Sequence, residues 1–247
     1  MRTAIVIPCF NEEDRLDLSS LQLLLEEEDV ELILVDDGSA DGTREKLHSV
    51  KDQLGDRVQV TILAENVGKA EAVRKGMNLA LALGARHIGY LDADFATPAT
   101  EMIRLLNTLR HEPAVHAVLG SRWLHMGASI ERSSFRHYAG RVFATFASNI
   151  LRMPVYDTQC GAKVFSVTPL LEASLREPFT SSWAFDVELL GRLRYGCEEV
   201  PGYHLREFRE VPLKAWRDVR GSKMRLRDMM KATLELFVIG LRLKQHR

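Results

Sequence analysis

The stretch His87-Ile88-Gly89-Tyr90-Leu91-Asp92-Ala93-Asp94 reads as a short apolar strand that runs directly into two carboxylates. Two earlier apolar runs end in the same way. Thr3–Ile7 passes into Pro8-Cys9-Phe10-Asn11-Glu12, and Glu31–Asp36 passes into Asp37-Gly38-Ser39. Further strands are expected at Val58–Leu63 and Val115–Gly120, with helical patterns over Arg15–Glu27, Thr43–Leu54, Lys69–Leu83 and Thr100–Leu109. Gly55 and Gly84 stand where helices end, and Thr97-Pro98 reads as an N-cap followed by proline at the first helical position. Strands alternating with helices, each strand a continuous Val/Ile/Leu run, imply a mostly parallel sheet covered on both faces. In such sheets ligands bind beyond the carboxyl ends of the strands, so the three polar clusters are expected to meet in one crevice.

Beyond Arg122 the pattern loosens. Helices are expected over Arg132–Leu151 and Ala184–Tyr195, an extended run over Glu199–Trp216, and a last amphipathic helix over Lys223–Lys244. The expected organisation is one unit, residues 1–222, made of halves 1–121 and 122–222, followed by a helical appendage at 223–247.

Composition narrows the classes. The chain has 247 residues, 46% hydrophobic and 27% charged, which suits a folded globular protein. A formal net charge of -1 offers no bulk attraction for nucleic acid. The three cysteines, Cys9, Cys160 and Cys197, are scattered and lack zinc-ligand spacing, so they are expected as free apolar thiols in a reducing compartment. Neither a signal peptide nor a bilayer-spanning run is legible, and a cytoplasmic location is expected.

Asp92 and Asp94 carry the chemistry. Two hard oxygen donors at a strand end suit Mg2+ or Mn2+, with the remaining positions filled by phosphate oxygens. Haloacid-dehalogenase-type phosphotransferases need a Thr or Val two residues after the second Asp; Phe95-Ala96 follows Asp94, so that fit fails. A dinucleotide fold fails too, since no GxGxxG follows the first strand.

The ordered motifs resemble those of family 2 inverting glycosyltransferases, in particular the branch that glycosylates dolichyl and other polyprenyl phosphates. Ile5–Glu12 resembles "IPxxNE", Val35–Thr43 "VDDGSxDGT", Asn66–Met77 "NxGKGxAVRxGM", Leu91–Asp94 "LDAD", Gly120–Arg122 "GSR", and Asp157–Phe165 "DTQCGFKLF"; Phe185–Leu190 and Gly221–Lys223 follow in order. Ala70 and Ala162 depart from the pattern, replacing a glycine and an aromatic.

The resemblance implies a GT-A fold, a Rossmann-like sheet that binds a nucleotide sugar. It places Pro8, Cys9, Phe10, Asn11, Glu12, Asp37, Gly68, Lys69, Asp92, Ala93 and Asp94 around the donor, with Asp92 and Asp94 on the metal. Arg122, Arg217, Arg220 and Lys223 would meet phosphates. The expected donor is UDP-glucose first and GDP-mannose second, and the expected acceptor a lipid phosphate or, alternatively, a glycan hydroxyl. A non-catalytic sugar-nucleotide-binding protein is the reading from another class. A lipid phosphate is already anionic, whereas a hydroxyl needs a base, for which Asp157, then Asp186 and Glu188, are the candidates. Asp186 and Glu188 are two apart on one helix and cannot face the same way. Two apolar stripes edged by arginine and lysine, one through Phe135, Val142 and Phe146 and one through Met230, Leu234 and Phe237, suit a peripheral contact with an anionic membrane or a homodimer contact.

Overall fold

The computed structural model describes residues 2–131, 134–197, 200–218 and 226–243, and no side chains are described at 131, 134–139 and 226–233. In chain order the elements of the first half are β1 (Thr3–Cys9), α1 (Leu18–Leu25), β2 (Val30–Asp36), α2 (Thr43–Leu54), β3 (Val58–Ile62), α3 (Lys69–Ala82), β4 (His87–Leu91), α4 (Ala99–His111) and β5 (Ala117–Ser121). The second half adds β6 (Ser129–Glu131), α5 (Ser134–Leu151), β7 (Ala162–Ser166), α6 (Pro169–Arg176), α7 (Phe185–Tyr195), β8 (Gly196–Cys197), β9 (Val200–Pro201), β10 (Phe208–Pro212), β11 (Ala215–Arg217) and α8 (Leu226–Leu243).

Seven strands form the main sheet in the order β10-β5-β7-β4-β1-β2-β3. All of its pairings are parallel except the two made by β7, which runs antiparallel between β4 and β5. The chain winds from β1 outward through β2 to β3, then returns to place β4 on the other side of β1. The crevice between β1 and β4 is therefore the switch point at which such sheets bind ligands.

Period-two alternation divides the core. Ile5, Ile7, Leu32 and Leu34 face α1, α2 and α4, while Ala4, Val6, Ile33 and Val35 face α3, α6 and α7. A third cluster joins Leu151, Met153, Val187 and Leu190 to Leu236, Ile239 and Leu243 of α8. The expected appendage is thus docked on the domain, with one face in its core.

Several expectations shift. Helix α4 begins at Ala99, one residue before the expected span, and its cap is Pro98 rather than Thr97, because Pro98 keeps an extended ψ of 152°. Helix α1 is shorter than the pattern, beginning after Asp17, whose carboxylate accepts from the Ser19 and Ser20 amides. The run Glu199–Trp216 is broken into short strands around a 3-10 turn at Leu205–Glu207. Neither the antiparallel entry of β7 nor α6 was foreseen.

Close approach of α3 to β1 needs the glycine at 76: a Cβ there would lie 2.4 Å from Val6 Cγ1 and 3.0 Å from Val35 Cγ2. Alanine is the better helix former by about 1 kcal/mol, but overpacking a rigid core typically costs about 1–3 kcal/mol, and valine is stiff. Gly76→Ala is accordingly expected to lower the urea midpoint; an unchanged or raised midpoint would show that Val6 yields.

Candidate active site

The carboxyl ends of β1, β2 and β4 bring their loops to one edge, and side chains then stitch the loops together. Asn11 has a positive φ of 54°, and its Oδ1 accepts from the Ala40 amide at 2.9 Å while its own amide donates to Ser39 Oγ at 3.0 Å. The Glu12 amide donates to Thr43 Oγ1 at 2.7 Å, and the Gly42 amide to Glu13 at 2.9 Å. Glu12 also pairs with Arg15 at 2.6 Å. Pro8, Cys9 and Phe10 lead into this stitched loop, Cys9 fully buried, its thiol pushed up by burial and by the neighbouring Glu12 and Asp36.

Asp37, expected against the nucleoside, spends both carboxylate oxygens on backbone: it accepts from the Val67 amide at 2.8 Å and the Gly68 amide at 2.9 Å. Burial raises its pKa and those two hydrogen bonds oppose the rise. Its role in the fold is to hold the loop that launches α3, and Gly68, at φ 91°, supplies the left-handed step.

Lys69, the first residue of α3, puts Nζ 2.5 Å from Asp92 Oδ1 and 5.9 Å from the centre of the Phe185 ring. Asp92 itself is seated by β7. Its amide donates to Gly161 O at 3.0 Å, and its carboxylate occupies the place of a side chain at 161, where a Cβ would lie 2.1 Å from Oδ2. Ala93 is buried, Asp94 Oδ1 accepts from the Ala96 amide at 3.0 Å, and Phe95 takes a left-handed φ of 48° that turns the chain at this point. Burial first, and then the charge of Asp92, raise the Asp94 pKa.

A cavity of about 390 Å³ opens beside Asp94, lined by Asp14, Arg15, Asp17, Ser20, Phe95, Pro98 and Arg217. Arg217 reaches it because its amide donates to Ala96 O at 3.0 Å. Arg15, in this cavity, was missed from the sequence: it lies in a polar stretch before α1 and fits no motif. Arg220 and Lys223 lie outside the described residues. Arg122 is placed differently from its expected role, since its guanidinium forks onto Asp157 at 2.6 and 2.8 Å, and its amide donates to the same carboxylate.

The other two candidate bases are also held. Asp186 Oδ1 receives Lys163 Nζ at 2.7 Å and the Tyr90 hydroxyl, with Lys163 wholly buried and its Nζ donating as well to Cys160 O at 2.6 Å. Glu188 turns away, pairing with Arg192 at 2.7 Å and accepting from the Thr180 and Ser181 amides. Lys163 and Tyr90 were not singled out from the sequence, for a lysine or tyrosine in an apolar strand gives no sign of its partner.

Two carboxylates suit a hard divalent cation, and Asp92 Oδ1 is a buried oxygen with no hydrogen bond beyond its contact with the Lys69 ammonium. Among the described residues no group of three or more His, Cys, Asp or Glu side chains assembles that could hold a metal. Asp92 and Asp94 therefore fit such an ion when a ligand brings further oxygens.

The raised pKa of Asp94 has a sign that can be tested. Its protonated form favours the folded state at low pH, and this contribution is lost as pH rises through the raised folded value. Asp94→Asn, always neutral, is expected to be more stable than the unaltered protein to urea at pH 7. The difference should vanish below about pH 4, the ordinary carboxyl range; equal stability at both pH values would remove the strain assigned to Asp94.

The comparisons agree with this geometry. The model of the family described as Glycosyl transferase family 2 matches residues 4–170. The dolichyl-phosphate beta-glucosyltransferase of Drosophila melanogaster is 31% identical over 98% of this chain and 75% of its own length, and that of Saccharomyces cerevisiae 30% over 96% and 74%. The polyprenol monophosphomannose synthase of Mycolicibacterium smegmatis is 25% identical over 98% of this chain and 88% of its own. Among solved structures, glucosyl-3-phosphoglycerate synthase from Mycobacterium tuberculosis, in complex with Mn2+, UDP and glucosyl-3-phosphoglycerate, superposes with a TM-score of 0.69 at 20% identity, covering 98% of this chain and 79% of that one. That likeness establishes a common GT-A fold. With its DxD pair at the switch point of this sheet and the family match over most of its length, the chain belongs to glycosyl transferase family 2 and is a glycosyltransferase.

Proposed function

We propose that the enzyme is a metal-dependent inverting glycosyltransferase that moves a hexose, with UDP-glucose the first-choice donor, onto a polyprenyl- or dolichyl-type lipid phosphate. The observation that carries the acceptor is the state of the three acidic side chains near the site. Asp157 is forked by Arg122, Asp186 is tied to buried Lys163, and Glu188 is turned onto Arg192. A hydroxyl acceptor needs a carboxylate free to take its proton. A phosphate acceptor arrives anionic and needs none, so ion-paired carboxylates are compatible with it.

Asp92 and Asp94 would hold a divalent cation, which offsets the charge of the departing nucleoside diphosphate when bound. Arg15 and Arg217, lining the cavity beside Asp94, are positioned to receive phosphate oxygens, and a guanidinium suits that contact. In this reading the stitched loops after β1 and β2, which carry Phe10, Asn11 and Glu12, would receive the nucleoside. Catalysis in this reading is positioning and charge stabilisation rather than proton transfer. The relatives over most of the chain, named for dolichyl- and polyprenyl-linked substrates, support the same acceptor class.

A lipid acceptor requires access to a membrane. No helix among the described residues is long and apolar enough to cross one. Val142 and Phe146 of α5 and Leu234, Phe237, Val238 and Leu241 of α8 are exposed, and the two helices pack together. Arg152, directly after α5, and Arg242 of α8 are exposed as well. This apolar face with basic residues supports peripheral binding to an anionic surface.

Calorimetric titration of UDP-glucose and GDP-mannose, each with and without Mn2+, tests the donor: UDP-glucose should bind with metal, and binding of GDP-mannose instead would change the sugar. Transfer of labelled glucose to a short polyprenyl phosphate tests the acceptor, and transfer only to hydroxyl acceptors would overturn it. The seat of Asp92 yields a second prediction. Gly161→Ala should displace that carboxylate by about 1 Å or more and lower kcat by up to about 100-fold, the scale such a misplacement can reach, with the fold intact by circular dichroism; undiminished turnover would free Asp92 of its assigned role.

A further inference from the structure

Lys69 sits where helix stability does not want it. A cation in the first turn opposes the helix dipole, yet this ammonium points back across the site to Asp92 at 2.5 Å. Asp92 is its ion-pair partner, and the centre of the Phe185 ring lies 5.9 Å from it on another side. Asp186 and Asp94 act on it at longer range. Asp186 is in turn joined to buried Lys163. The result is a row of alternating charge, Asp92, Lys69, Asp186, Lys163, that begins at the strand end and finishes inside the core.

We infer that Lys69 is a displaceable counter-ion, which holds the Asp92–Asp94 pair in place before the donor arrives and competes with a divalent cation for Asp92. The inference rests on the metal reading proposed above and goes beyond it, because it concerns the enzyme without nucleotide. Asp92 and Asp94 repel one another when both are ionised, and an ammonium beside them relieves that repulsion without a metal. The lysine is able to leave: its side chain is 43% exposed, in contrast to Lys163 at 0%. Asp186 is within electrostatic reach as a second carboxylate, and a donor diphosphate would offer a third anion. A cation that comes alone has to displace Lys69 and finds only two carboxylates. A cation that comes with the diphosphate brings its own oxygens and gives the ammonium an anion to move to. Metal and donor are therefore expected to bind together rather than metal first.

The test is the affinity of Mn2+ alone, by electron paramagnetic resonance titration of the nucleotide-free protein. Lys69→Met should bind Mn2+ about fivefold more tightly than the unaltered enzyme, the scale set by breaking one half-exposed ion pair, while Lys69→Arg should stay as weak as the original. Lys69→Gln keeps a polar side chain at this surface position and guards against misfolding of the Met variant; it should match the Met result. Equal or weaker Mn2+ binding by the Met and Gln variants overturns the counter-ion role. If Mn2+ fails to bind any of these proteins even with UDP present, the metal reading falls and takes this inference with it. Binding by all with equal affinity overturns the inference alone.

Discussion

Charge compensation is the constraint on which the arrangement of this protein depends. The ends of the parallel strands and the turn before β7 bring Asp37, Asp92, Asp94 and Asp157 to one edge of the sheet, and α7 adds Asp186 behind them. So many carboxylates in a partly enclosed space would repel one another unless each found a partner, and the partners differ in strength and access. Asp37 takes two backbone amides, Asp157 a guanidinium fork, Asp186 a buried ammonium and a phenol, and Asp92 a lysine that remains accessible. Asp94 accepts from one amide and meets Lys69 and Arg15 only through longer-range attraction, and burial and Asp92 still raise its pKa. Residual strain is thus concentrated on the pair that is suited to a cation, as expected where function is placed above stability.

Strand β7 distributes these partners. Because it enters antiparallel between β4 and β5, its first residues lie at the same edge as the ends of the parallel strands. Gly161 then leaves room for Asp92, and two residues later Lys163 reaches back from the sheet to Asp186. The pair Lys163–Asp186 joins sheet to α7, and Glu235 of α8 accepts from Ser181, Trp183 and Ala184 in the turn that precedes α7. The last helix is in this way coupled to the acidic site through the start of α7. Removing one partner of a buried ion pair typically costs about 3–5 kcal/mol, since the other charge is left stranded. Lys163 and Asp186 therefore constrain the fold as well as the site.

Much of this was legible in the chain itself. Apolar runs of five to seven residues, separated by helical patterns, determined the parallel sheet, because residues buried on both faces must be apolar throughout. The carboxyl-end rule located the crevice, and the DxD pair, the DDGS turn and the asparagine–glutamate step after β1 all reached it. The sequence alone also determined the family, through motifs in fixed order over most of the chain. Local chemistry explains this: strand period, turn glycines and acidic pairs act over a few residues.

What only the tertiary structure decided is which partner each of these groups meets. Arg122 looked like a phosphate ligand and is committed to Asp157, 35 residues on. Asp37 looked like a nucleoside contact and holds the Val67–Gly68 amides; Lys163 looked like an ordinary strand residue and carries a buried charge. Gly161 had no evident purpose until Asp92 was found beside it. The physical reason is common to all four: ion pairs and close packing depend on distances set by strands that lie far apart in sequence, and β7 entered the sheet in a direction that no local pattern specifies.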